Sequence, residues 1–316
     1  MRIVPFSEHH IEEASRIART VYEEERLTTP SLPLEVSFPD LLPFAQNGLG
    51  MAAFEGGRML GFLCGTSPFP NAFHSTDAVG VFSPMGANGV LSENRRNVYA
   101  RLLEACEETW KEAGASSHAL CLYAHDKAAQ EQCFYYGFGI RCMDALRLIE
   151  AREVPPLPGV AFRELPYAEF SRILPLEHGL DAHMAKSPTF ILRPSNSEES
   201  LLRQAREQNA RYFAAETGDR LIAFLKIARD GETFVCEAPG YLHITGAYCL
   251  PEYRGKGVYK SLLQFVTNQL AQEGFTRLGV DFESINPAGY GFWRKHFQIY
   301  THSVTRRIDE HVLKRP

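Results

Sequence analysis

Residues 247–263 read AYCLPEYRGKGVYKSLL, and the rest of the chain is best understood outward from this stretch. A strand-like apolar run ends at Leu250, a cationic bend with Gly255 and Gly257 follows, and an amphipathic helix pattern starts at Val258. The first amides of a helix have no internal partner, and the aligned peptide dipoles add partial positive charge there. Such a terminus suits anions, phosphate above all. Glycines let the backbone take positive φ and lie against a ligand with no Cβ in the way. Arg254, Lys256 and Lys260 add charge around the bend. Together these features suit a diphosphate.

Two common diphosphate loops do not fit. The hydrolase pattern G-x-x-x-x-G-K-[ST] is missing, and the dinucleotide pattern G-x-G-x-x-G meets Lys260 at its third glycine. Earlier in the chain, residues 92–105 read SENRRNVYARLLEA, a similar phrase without either glycine. Val98-Tyr99 and Leu102-Leu103 return in register as Val258-Tyr259 and Leu262-Leu263. The order of elements around both phrases also repeats, which indicates duplication of a whole domain. The joint is AREVPPLPGVAFREL, residues 151–165, where Pro155, Pro156, Pro158 and Gly159 forbid a continuing helix or a central strand. The pattern predicts two mixed α/β domains, 1–152 and 160–316.

A length of 316 residues is comfortable for two domains, and 45% hydrophobic with 22% charged residues is ordinary for a globular protein. A formal charge of −5 argues against a general nucleic-acid binder. The first residues lack the apolar core of a signal peptide, and no run of about 18 apolar residues is present to span a bilayer. The seven cysteines are scattered and never spaced C-x-x-C, which argues against a disulfide framework or a structural zinc site. His178, Asp181 and His183 mimic metal-ligand spacing without further ligands, so no metal is expected. A reduced, cytoplasmic protein is expected, a monomer or homodimer, with no nucleic-acid or membrane partner.

The segment AYCLPEYRGKGVYKSLL resembles the acetyl-CoA site of the GNAT acetyltransferase superfamily, and the element order of both halves fits that fold. The resemblance implies an α/β fold with mixed sheets, in two tandem GNAT-like acyl-CoA N-acyltransferase domains. It also implies acetyl-CoA as co-substrate and direct acetyl transfer to a primary amine of a small molecule or peptide. In that family the strand before the bend splays from its neighbour and binds the pantetheine arm; the matching positions are Ala247, Tyr248 and Cys249. The pyrophosphate would meet the amides of Gly255, Lys256, Gly257, Val258, Tyr259 and Lys260, beside Arg254. Tyr259 departs from the usual Gly or Ala, and since Tyr99 holds that place in the first half, a packing role is expected.

A second signature of the family matches NPAGYGFWRKHF, residues 286–297. It implies Asn286 beside the pantetheine arm. Trp293 falls where a tyrosine commonly protonates the leaving thiolate, and an indole N–H is no usable acid. Tyr290, one turn away on the same face, is expected to substitute. His243, eleven residues before Arg254, matches the position of a glutamate base in the histone-acetylating branch, and histidine titrates in the useful range. Asp281 matches an acidic position used by some protein-acetylating members. The backbone N–H of Cys249 would hold the oxyanion.

In the first half, Asn94, Arg95, Arg96 and Asn97 stand against Arg254, Gly255, Lys256 and Gly257, and His125 or Asp126 stands against Asn286. A degenerate, non-catalytic first domain is therefore expected. The competing reading of the whole chain is a non-catalytic acyl-CoA-binding or regulatory protein, made credible by the missing tyrosine.

Overall fold

Strand-like runs and helical stripes alternate along the sequence, and in a computed structural model of the chain they form the following elements. The structure describes residues 1–74, 78–154, 156–193 and 196–314; Pro155 of the joint lies outside them. In chain order they are β1 (Arg2–Pro5), α1 (Ile11–Thr28), α2 (Leu42–Gln46), β2 (Gly50–Glu55), β3 (Arg58–Cys64), β4 (Gly80–Ser83) and β5 (Asn88–Val90). There follow α3 (Arg95–Glu112), β6 (Ser117–Tyr123), α4 (Lys127–Tyr135), β7 (Gly139–Leu148), β8 (Ala161–Leu165), α5 (Leu174–Met184), α6 (Glu198–Glu207), β9 (Arg211–Thr217) and β10 (Arg220–Ala228). The last are β11 (Tyr241–Cys249), α7 (Val258–Gln272), β12 (Arg277–Glu283), α8 (Pro287–His296), β13 (Gln298–Ile299) and β14 (Thr301–Arg307). Among the described residues no helix is long and apolar enough to cross a membrane.

The chain divides into two compact units, residues 1–144 with 299–316, and residues 145–298. This differs from the sequence-based division at 152 and 160: the end of β7 and the stretch to 152 fall in the second unit, and residues 299–316 in the first. Strand β14 belongs to the first unit, where it runs antiparallel to both β6 and β7. A strand's alternation of side chains is the same in either sheet, so the sequence carries no signal for this exchange.

In the first unit β1, β2, β3 and β5 form an antiparallel sheet, and β4, β6, β14 and β7 lie side by side in another. The turn between β2 and β3 has Gly56 and Gly57 at φ 58° and 84°, the double positive φ that a two-residue hairpin of matching twist requires. The sequence spacing predicts a helix from Val36 to Gln46, but only Leu42–Gln46 is helical. Pro39 interrupts the earlier part, while Pro43 is tolerated in the first turn. Helix α3 buries the expected stripe of Val98, Leu102, Cys106 and Trp110 against β2 and β3. Trp110 is fully buried, and its indole Nε1 donates to the Leu49 carbonyl at 3.0 Å. Trp110→Ala should cost roughly 3–5 kcal/mol of stability, read as a lowered denaturation midpoint.

In the second unit the strand order is β12-β11-β10-β9-β8. Helix α7 buries Val258, Leu262, Val266 and Leu270, the matching stripe. On the opposite face, α5 and α6 cover Tyr212, Phe224 and Tyr248 in a core with Leu176, Leu180 and Ala205.

Candidate functional site

Strand β11 decides the site's shape. Its first part, Tyr241–Ile244, runs parallel to Arg277–Val280 of β12, and the pairing stops there. Its later part, Gly246–Cys249, pairs only with β10, across from Lys226–Ala223. Leu250 N donates to Ile222 O at 2.9 Å, so by antiparallel alternation the polar groups of Tyr248 face β10 while those of Ala247 and Cys249 face the gap. A fork with free backbone donors and acceptors results.

Beyond the fork a short 3-10 turn, Pro251–Tyr253, leads into the bend. Gly255 and Gly257 have φ of 74° and 83°, the left-handed region that penalises a side chain. A Cβ at Gly255 would meet no heavy atom within 4 Å, so the surface there is open. Gly257 caps α7, whose first amides point into the opening. Arg254 turns back, donating from Nε to Cys249 O at 3.0 Å with its guanidinium 5.3 Å from the Tyr248 ring centre. It thereby occupies the Cys249 carbonyl and leaves the Cys249 N–H facing the gap.

These groups border a cavity of about 500 Å³. Ala247, Tyr248, Cys249, Arg254, Gly255, Gly257, Val258, Tyr259, Lys260, Asn286 and Trp293 all line it. Lys256 is the one residue expected at the carrier site that does not; its ammonium lies over the Tyr253 ring at 5.7 Å. Tyr259 is packed, as expected. Its hydroxyl donates to Phe224 O at 3.2 Å and its ring meets Phe292 and Trp293 edge-on. Asn286 caps α8 by accepting from Gly289 N at 3.3 Å.

The three residues expected to be catalytic do not line the cavity. Tyr290 lies against Phe282 and beneath the Arg294 guanidinium. His243 is 1% exposed, with Nε2 2.9 Å from Asp281 Oδ1 and Nδ1 3.7 Å from Cys236 Sγ. Burial opposes charge on this ring, but the Asp281 carboxylate and the Cys236 sulfur outweigh it and push the imidazole up to about 10. Both ring nitrogens have partners, and the ring stands away from the cavity wall. The folded chain holds a proton here that the unfolded chain loses near pH 6.5. Stability from this contact is complete below that pH and lost as pH rises toward about 10. Thermal melts from pH 6 to 10 should show this loss, and His243→Gln should remove it.

Helix α5 also reaches the cavity, through a residue that the sequence singled out only for its metal-ligand spacing. His183 lines the cavity, its Nε2 3.2 Å from Asn286 Oδ1 and its ring 6.4 Å from that of Tyr248. An amide oxygen only accepts, so Nε2 carries the proton in this contact. One face further along the helix, burial raises the Glu177 carboxyl, which bonds to Tyr212, and lowers the Lys226 ammonium opposite it. No sequence pattern marks these groups, because their burial is set by the sheet beneath.

The first unit carries a filled counterpart. There the strand is broken in two: β4 pairs with β6, and β5 pairs with β3. Helix α3 begins at Arg95, three residues before Val98, with Asn94 taking the left-handed cap at φ 51°. A further helical turn thus replaces the open bend. Arg95 donates to Val90 O at 2.9 Å and pairs with Glu24 at 2.6 Å, while Asp126 lies 3.6 Å away. His125 bridges Glu24 and Glu25.

Comparison with known proteins agrees with this geometry. Residues 180–297 match the family model described as Acetyltransferase (GNAT) family. No curated protein matches the chain. Among solved structures, a GCN5-related N-acetyltransferase from Sphaerobacter thermophilus superposes with a TM-score of 0.59 at 12% identity, covering 96% of this chain and 95% of that one. The GCN5-related glucosamine N-acetyltransferase region of a fungal multi-domain GH3 beta-N-acetylglucosaminidase gives 0.52 at 13% identity, covering 96% of this chain and 38% of that one. Identities this low speak for fold alone. Residues 180–297 thus match the GNAT acetyltransferase family, and the superposition over 96% of the chain gives the whole chain a GNAT fold of two GNAT-like units.

Proposed function

We propose that the chain is an acetyl-CoA-dependent N-acetyltransferase acting on a primary amine of a small molecule or peptide, with one carrier site per chain, in the second unit. The observation that carries this reading is the fork at Ile244 and Val280 opening onto a glycine bend at the head of α7. The residues present fit the carrier. Free polar groups of Ala247 and Cys249 suit its amide-bearing arm, and the amides from Gly255 to Lys260 suit its diphosphate. Lys260 and Lys295 on the cavity wall add charge for further phosphate.

Acetyl-CoA, when bound, supplies an activated acetyl thioester. The Cys249 N–H is placed to donate to the carbonyl oxygen that gains charge during transfer. The doubly protonated ring of His183, its Nε2–H held by Asn286, supplies its Nδ1 proton to the departing sulfur in place of the tyrosine that Trp293 displaces. The amine's proton leaves to water, because His243 has no free nitrogen. In the first unit Arg95 satisfies the groups that a carrier would need, so that unit binds no CoA.

Amine-dependent thiol release from acetyl-CoA, measured across a panel of primary amines, tests the reading. Release with at least one amine class is expected. Tight CoA binding with no amine-dependent release would leave the non-catalytic, acyl-CoA-binding alternative.

A further inference from the structure

Outside the cavity, Cys236, His243 and Asp281 form a connected row. Cys236 sits on the 3-10 turn Phe234–Glu237 and is partly exposed. Its Sγ lies 3.7 Å from His243 Nδ1 and 3.7 Å from Thr233 Oγ1. Gly231 packs against the sulfur, where a Cβ would stand only 2.3 Å from Sγ, so only glycine fits beside the thiol. The far nitrogen of His243 meets Asp281, whose side chain is 35% exposed on β12. Tyr241 stacks on the ring at 6.2 Å, and the cross-strand neighbours Ala228 and Gly279 bring no charge.

We propose that these three residues form a nucleophilic thiol site, which takes a low-molecular-weight disulfide into a mixed disulfide at Cys236. The His243 ring, oriented by Asp281, faces the sulfur at 3.7 Å, the arrangement that activates a thiol nucleophile. In the step, Sγ attacks one sulfur of the disulfide, a new S–S bond forms and the old one breaks. The other half leaves as a thiolate; Cys236 is oxidised, the leaving half is reduced, and the thiol proton is released to water.

The remaining thiols are poorer candidates. Burial raises Cys64 and Cys106 well above the ordinary range, Cys133 to about 12 and Cys249 to about 11. Cys121 is buried, and Cys142, the other partly exposed cysteine, serves as the control.

The test uses the full chain under native conditions with dithiodipyridine as the disulfide, followed by absorbance and peptide mapping. One fast equivalent should map to Cys236, at least about tenfold faster than any other thiol of the chain. Cys236→Ser should remove the fast phase and Cys142→Ser should keep it. Asp281→Asn, which leaves the thiol and the ring in place, should slow the phase by at least about tenfold. A fast phase surviving in Cys236→Ser, or one unchanged in Asp281→Asn, would overturn the proposal.

Discussion

Gly257→Glu should weaken acetyl-CoA binding by at least 100-fold, equivalent to about 2.7 kcal/mol. Two effects add at this position. The residue holds φ 83° and ψ −12°, where a side chain costs roughly 1–2 kcal/mol. The new carboxylate would also stand at the helix terminus meant for phosphate, opposing it by like charge. Gly257→Asn separates these effects, because asparagine tolerates positive φ and carries no charge. It should fold like the parent and lose far less affinity, as read by equilibrium titration.

The second large effect concerns proton supply. His183→Gln should lower kcat by roughly 100-fold, the scale of a lost general acid, while acetyl-CoA affinity changes less than about threefold. Glutamine still donates to Asn286 Oδ1, so the cap of α8 and the cavity wall survive. Steady-state kinetics with a reactive amine separates the outcomes: a fall in kcat at constant KM supports an acid role for His183. An unchanged kcat would mean that the thiolate leaves without help or draws its proton from elsewhere.

Much of this architecture was legible in the sequence, and particular residues show why. The α7 and α3 stripes follow from apolar spacing, because a helix that packs on a sheet must bury one face. The glycine bend was legible because φ and charge are local requirements, written in Arg254–Lys260 itself. Two features were not. The place of β14 depends on which sheet edge is free, which its own residues do not encode. The burial of His243 depends on Gly231, Gly279 and Cys236 closing around it, so residue type and register suggested a base where the fold makes a salt bridge.

In the first unit the matching helix is a turn longer, Asn94 takes the left-handed cap, and Arg95 binds the Val90 carbonyl and Glu24. Helix packing survives such a change, because Val98, Leu102 and Trp110 still fill the core.

The most direct test is a crystal structure of the chain with acetyl-CoA. The diphosphate oxygens should lie within hydrogen-bond distance of the main-chain amides between Gly255 and Lys260, one carrier per chain, with the thioester in the fork beside Cys249. A carrier bound elsewhere, or a second one seated at Arg95 in the first unit, would contradict the account.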